Sequence, residues 1–231
     1  MESFIKHKNK LEIIMSFIER IKGTISEPKN TMKNIAQEPM IEEAVMIVGI
    51  YAALISIAAY LQSYKITMVF EGIPNMPSSM QSIMTISTIV FSLITPFLTW
   101  FIIAGVVHLL SMAIGGEGRF YPQVITITGY SMLPMMLAGL FSIGIFLMIE
   151  PQTINFSPAN PGALKELYGS PIFLSSELVS IILQAWSTLI LFYGIRTAHN
   201  ISHNASAIIA SIPIAFSMIS MILALRGFGI I

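Results

Sequence analysis

Three groups of side chains in this sequence are equipped for chemistry. His199 and His203 stand at i, i+4 in "GIRTAHNISHNAS" (194–206), the spacing that stacks two imidazoles on one helical face. His108 begins "HLLSMAIGGEGRFYPQV" (108–124), so a third imidazole reaches the pair if the two segments meet. Three imidazoles are a conceivable set of metal ligands. No Glu follows His199 to complete a hydrolytic His-Glu-x-x-His motif; the local order is His-Asn-Ile-Ser-His. The plainer reading prevails: histidines at a membrane surface, hydrogen-bonded to loop carbonyls. No metal, cofactor or catalytic residue is assigned.

The second group is the knot Gly115, Gly116, Glu117, Gly118 and Arg119, which interrupts a long apolar run. A glycine-rich turn before a helix has the outline of a phosphate loop. The spacing with Lys and the preceding strand are both missing. A tight reversal fits better. Gly115 and Gly116 can take positive φ and end a helix, while Glu117 and Arg119 keep the turn in water.

The third group is a stripe of hydroxyls, Thr85, Thr88, Ser92, Thr95 and Thr99, at 3-4-3-4 spacing on one helical face. Such a stripe lines a polar path for a neutral solute, or it is a packing seam with its hydroxyls bonded to carbonyls. Packing is the expectation. Gly49, Ala52, Ser56 and Ala59 repeat in the same way, as do Ala210, Pro213, Ser217, Ser220 and Ala224. Small residues at that spacing let helices approach closely in lipid, where burial of apolar surface gives no drive.

The elements that position these groups follow from composition. Of 231 residues, 55% are apolar and 10% are charged. A soluble domain carries about 25% charged residues, so the solvent of this chain is largely lipid. All twelve acids are Glu and there is no Cys, which excludes Asp-based sites, disulfides, thiolate nucleophiles and Cys-type metal centres. A net charge of zero argues against a nucleic-acid partner. No cleavable signal peptide is visible, so the first span is expected to do the targeting.

A spanning helix needs about 20 mostly apolar residues. Five segments qualify: 44–64, 82–114, 123–149, 178–198 and 205–225. Residues 115–122 and "HNISHN" are tight links, and 65–81 and 150–177 are longer loops rich in Pro and Gly. The reading is an all-α, multi-pass bundle of five transmembrane helices. Residues 1–43 form a cytoplasmic or interfacial leader and 44–231 the membrane domain. With the leader inside, nine Lys and Arg lie on that side against Lys65, Lys165 and Arg226 on the other. That distribution predicts a cytoplasmic N-terminus and an outside C-terminus.

In the leader, "KLEIIMSFIERI" (10–21) puts Leu11, Ile14, Met15, Ile18 and Ile21 on one face. Lys10, Glu12, Glu19 and Arg20 fall largely on the other. The helix is expected to lie in the interface or to pack on the inner rim, and to end at Glu27-Pro28. Pro96, Pro134 and Pro213 fall within spans and predict kinks, with hydroxyls one turn away to satisfy the freed carbonyls. No charged residue stands at mid-span; Glu177, Arg196 and Arg226 are at span ends. That lowers the expectation of ion-coupled transport.

Four stretches carry a resemblance: "ISEPKNTMKNIAQEP" before the first span, "GGEGRF" after His108, "GYSMLP" (129–134) and "GIRTAHNISHNAS". Together with five spans they resemble the Yip domain family, integral membrane proteins named for interaction with Ypt/Rab-type GTPases. The resemblance covers about 25–225. It implies a helical bundle, a cytoplasmic N-terminus and no known enzymatic activity. In eukaryotic relatives it implies a role in vesicle trafficking. The short leader lacks the Asp-Leu-Tyr-Gly-Pro element of the eukaryotic branch and points to a prokaryote-type member.

The expectation is therefore a non-enzymatic scaffold or adaptor in membrane organisation or trafficking, located in the cell membrane in a prokaryote. Its partners are the bilayer and either a cytoplasmic protein or a second copy of the chain. The candidate functional cluster of the cytoplasmic face is His108, Gly115, Gly116, Arg119, Tyr130, Pro134, His199 and His203. The alternative is a small channel or transporter subunit for a neutral solute, with the hydroxyl stripe along its path.

Overall fold

Among the described residues five helices are long and apolar enough to cross a bilayer: Ile41–Lys65, Ser82–Ala113, Phe120–Met148, Pro171–His199 and His203–Gly227. The structure, a computed structural model, describes residues 15–70, 78–156, 162, 165, 168–227 and 229. In chain order the elements are α1 (Phe17–Ser26), α2 (Pro28–Gln37), α3 (Ile41–Lys65), β1 (Ile66–Phe70), α4 (Ser78–Ala113), α5 (Ile125–Ser131), α6 (Leu133–Met148), β2 (Gln152–Phe156), α7 (Pro171–His199) and α8 (His203–Gly227). A π-type turn, Phe120–Val124, leads into α5, and its Tyr121–Pro122 peptide is cis.

The spans match the apolar runs, with one instructive shift. The fourth helix starts at Pro171, which occupies its first turn, rather than at 178. An apolar count stops at Glu177. Helix propagation does not, because a single Glu is a good helix former and does not interrupt a helix that Pro171 has already opened. In α3, by contrast, Glu42 and Glu43 occupy the first turn, where carboxylates suit the positive end of the helix dipole.

The leader folds as two short helices. Ser16 and Glu19 cap α1 reciprocally: the Ser16 backbone N–H donates to the Glu19 carboxylate at 2.7 Å, and the Ser16 hydroxyl accepts from Glu19 N–H. The carboxylate accepts from the Ser16 backbone N–H and from the Ser16 hydroxyl at 2.9 Å, and these two bonds hold it below the ordinary carboxylate range. Glu27 closes α1 and Pro28 opens α2, at the position where a helix needs no N–H. Residues 10–14 of the amphipathic stretch, and Lys6 and Lys8, lie outside the described residues. Arg20 is not on a solvated face as its charge suggested; it is fully buried.

Packing is densest at the leader end of the bundle. Met32 and Ile35 of α2, Ile127 and Tyr130 of α5, and Ile190 and Ile195 of α7 form the main core. A second cluster joins Ala44 and Val48 of α3 to Trp100 and Ala104 of α4, and the Trp100 indole donates to the Ile125 carbonyl at 2.8 Å. The third span is the most buried and the fifth the least. Apolar side chains such as Ile83, Leu109, Phe216 and Leu223 face outward, as expected where the solvent is lipid.

The third span breaks between α5 and α6 at Met132, and Pro134 lies in the first turn after the break. Met135 N–H donates to Met132 O instead of continuing the α pattern, which leaves the Ser131 carbonyl free. The Ser187 hydroxyl of α7 donates to it. At the far end the two long loops pair as a small parallel sheet, with Ile66 opposite Gln152 and Phe70 opposite Phe156.

Candidate functional site

The glycine knot is a helix stop that doubles as a socket. Gly115 has φ +88, a conformation glycine takes at no steric cost. Gly115 N–H donates to Met112 O at 3.0 Å and Gly116 N–H to Ser111 O at 2.8 Å. These are the paired bonds of a Schellman stop. The next residues grip the other tight link. Glu117 N–H donates to the His199 carbonyl at 3.1 Å, and Gly118 N–H donates to His199 Nδ1 at 3.1 Å. α7 ends there, with Asn200 in the left-handed region. Any Cβ at Gly118 would lie 2.8 Å from His199 Nδ1 and 2.9 Å from the Ala198 carbonyl; at Gly116 it would lie 2.7 Å from the Ser111 carbonyl. The glycines are required because the imidazole of His199 fills the space a side chain would take.

Only two of the three histidines meet. The His108 and His199 rings are 5.2 Å apart, whereas His203 lies against Phe192 at 4.8 Å. Among the described residues no three His, Cys, Asp or Glu side chains form a metal-binding group. The hydrogen bond from Gly118 also fixes the tautomer. Nδ1 is an acceptor, so the neutral ring carries its proton on Nε2, which is then a donor rather than a ligand.

A second polar cluster ties the leader to the first and third spans. Arg20 Nη1 donates to the Glu38 carbonyl at 2.9 Å and to Glu43 Oε2 at 3.3 Å, and Nη2 is 3.5 Å from the Glu38 carboxylate. The Tyr130 hydroxyl donates to the same Glu43 oxygen. Gln123 bridges the knot to the leader: it accepts from Arg119 N–H at 3.0 Å and donates to the Ala36 carbonyl at 2.8 Å. The Arg119 side chain itself is exposed.

The hydroxyl stripe divides. Thr85 and Thr88 line a small cavity of about 170 Å³ with Gln62, Ser63 and Thr67. Ser92, Thr95 and Thr99 line a separate cavity of about 530 Å³ to which all five spans contribute, the first through Tyr51 and Ile55. Thr88, Ser92 and Thr95 donate back to Met84, Ile89 and Phe91 carbonyls. Gln184 of α7 crosses this region to donate to the Ser217 hydroxyl of α8 at 2.8 Å.

Comparison with known proteins places this geometry. The family model of the Yip1 domain matches residues 22–225. The chain belongs to the Yip1 domain family. It is also 33% identical over 138 residues to an uncharacterized protein of the archaeon Methanocaldococcus jannaschii, a match covering 58% of this chain and 89% of the relative. No solved structure matches.

In this Yip1-domain chain the four stretches that carry the resemblance converge on the leader end. The Ala36 carbonyl, from the leader stretch, holds Gln123 beside the glycine knot. Gly194 packs on Ile127 and Met32. His199 sits in the knot, and Tyr130 meets Glu43. Of the candidate residues, His108, Gly116 and His199 form one contact set, while Tyr130 belongs to the Arg20–Glu43 cluster. Pro134 marks the break in the third span, and Arg119 and His203 lie at the rim. Sequence reasoning gave no site role to Arg20 or Gly118, which it named, and passed over Glu43, Gln123 and Gln184. A buried Arg 23 residues before a first-turn Glu on another helix carries no local pattern, and one amide in an apolar run barely lowers its hydropathy.

Gly118→Ala tests the socket. It is expected to cost about 1–3 kcal/mol by overpacking and to lower the melting temperature in detergent. Glu117→Ala, at an exposed side chain one residue away, is expected to leave it unchanged. Equal melting temperatures for the two variants would contradict the socket.

Proposed function

We propose that this protein is a non-catalytic membrane scaffold or adaptor whose platform is the leader end of the bundle, facing the cytoplasm. The observation that carries the reading is the buried Arg20, which joins α1 to Glu43 and Tyr130 of the membrane domain. A leader held that way presents a fixed surface. Its outer side carries Ile18 (63% exposed) and Ile25 (41%) with Lys22 between them. Lys29, Lys33 and Arg119 are exposed beside it. Two isoleucines among cations suit an acidic, partly apolar partner surface. The excess of Lys and Arg at this end supports the cytoplasmic orientation.

The test uses the absence of cysteine. Single cysteines at Glu117 and Asn200 are expected to react with an impermeant thiol reagent only from the cytoplasmic side, and one at Glu150 only from the other. Crosslinking in native membranes is then expected to capture a protein partner or a second copy with the wild type and to lose it with the pair Ile18→Glu, Ile25→Glu. Capture of nothing but lipid by the wild type would sink the adaptor reading.

A further inference from the structure

The cavity of about 530 Å³ is within the range of pockets that hold small molecules, about 300–1,000 Å³. Its walls combine two chemistries. Ile55, Ile103, Met135 and Leu191 give an apolar side, and Ser180, Gln184 and Thr188 of α7 give a polar one. The α7 positions recur every three or four residues from Glu177 to Thr188, so one helical face looks into the cavity over ~16 Å. Thr99, Ser180 and Thr188 make no side-chain hydrogen bond with the described residues, unlike Ser92 and Thr95, which satisfy themselves on carbonyls. The Glu177 carboxylate has no ion pair or hydrogen bond with the described residues either. The three hydroxyls lie along the spans, where an unpaired polar group calls for a partner, and the exposed Glu177 stands at the span end beside them.

The charge pattern narrows that partner. Among the described residues Glu177 is the one charged residue lining the cavity, and no Lys, Arg or His does so. An anion finds no counter-charge there, and a cation finds one. Glu177, Ser217 and Met221 also line a neighbouring cavity of about 490 Å³ toward the end of α8, so the carboxylate stands at the partition between the two. The access route is lateral. Thr95 and Thr99 line the cavity, yet are exposed on the bundle surface near the middle of the second span. That surface faces hydrocarbon, from which amphiphiles arrive and small water-soluble ions do not.

We propose that this cavity binds a single-chain amphiphile with an amino-alcohol head that enters from the bilayer. The ammonium pairs with Glu177, the head hydroxyl bonds to Ser180 and Gln184, and the chain lies along the apolar wall. The site stands independently of the adaptor reading, since none of its residues belongs to the leader platform.

The experiment is photolabelling of the full chain in phosphatidylcholine nanodiscs with a long-chain amino-alcohol bearing a diazirine in its chain, followed by peptide mapping. Adducts are expected on residues lining the cavity in α7 and α8. Glu177→Gln is expected to cut them about tenfold, the loss of one charge-assisted bond, with an unchanged melting temperature because the exposed carboxylate has no partner among the described residues. Thr188→Leu, which fills the cavity without touching charge, is expected to cut them as well. The same chain ending in a carboxylate is expected to label lipid-facing positions only. Adducts spread over outward residues such as Ile83 and Leu109 and indifferent to Glu177→Gln would overturn the proposal. So would full protection by free ethanolamine, which would assign the site to a soluble amine.

Discussion

Glu43→Ala is expected to destabilise the folded chain by about 3–5 kcal/mol, the cost of breaking a buried ion pair by removing one partner. Arg20 is fully buried and Glu43 has a side-chain exposure of 12%, so solvent cannot replace what is lost. Without Glu43 the guanidinium keeps the Glu38 carbonyl and the more distant, half-exposed Glu38 carboxylate, and the Tyr130 hydroxyl loses its acceptor. The readout is limited proteolysis of α1 and α2 beside thermal unfolding in detergent, with early cleavage of the leader expected. Glu43→Gln retains an acceptor for Tyr130 and is expected to fall between. The double variant Arg20→Met, Glu43→Leu removes both charges and is expected to recover much of the loss, because the penalty comes from the unpaired charge. A leader equally protease-resistant in Glu43→Ala and wild type would show that the cluster does not hold it.

Gly194→Val is expected to have an effect of similar rank by a different route. A Cβ on Gly194 overlaps Ile127 Cγ2 and comes within 3.4 Å of Met32 Sδ. Ile127 is fully buried and β-branched, so it cannot swing aside. Overpacking of a tight core costs about 1–3 kcal/mol and at times more; two added methyls at a site with no room belong at the top of that range. The contact joins the third and fourth spans and the leader, so all three are expected to loosen together in hydrogen exchange. Gly144→Ala is the contrast. A Cβ there meets nothing within 4 Å, and exchanging Gly for Ala in a helix gains up to about 1 kcal/mol. A second change, Ile127→Ala, is expected to rescue Gly194→Val in part. Unaltered stability in Gly194→Val would mean the two helices have slack that their contact denies.

The spans were legible because each needs only an apolar run of sufficient length, a property of the run itself. The glycine stop was legible for the same reason: consecutive glycines flanked by charges signal a reversal locally. What Gly118 does was not, because its neighbour His199 arrives from a distant part of the chain. Arg20 misled for a related cause. Helical periodicity assigns a charge to the wet face unless a counter-charge is known to lie beneath it, and Glu43 belongs to another element. "ITMVF" (66–70) falls within the loop 65–81 on the sequence reading, since five residues carry too little pattern to declare a strand. Its partner in the other loop is what makes it one. The division of the hydroxyl stripe between two cavities was equally hidden, because spacing places side chains on a face without saying what that face meets.

The parallel pairing of β1 with β2 bears on how the chain is assembled during synthesis. Ile66 finds Gln152 only after two further membrane crossings have been made, so the first strand must wait with open backbone groups while later segments emerge from the ribosome. The leader, by contrast, needs only Glu38 and Glu43 to anchor Arg20, and Tyr130 joins them later. Biogenesis thus has an early clasp at one end and a late one at the other, and nascent chains halted before β2 would be the natural substrates for membrane quality control.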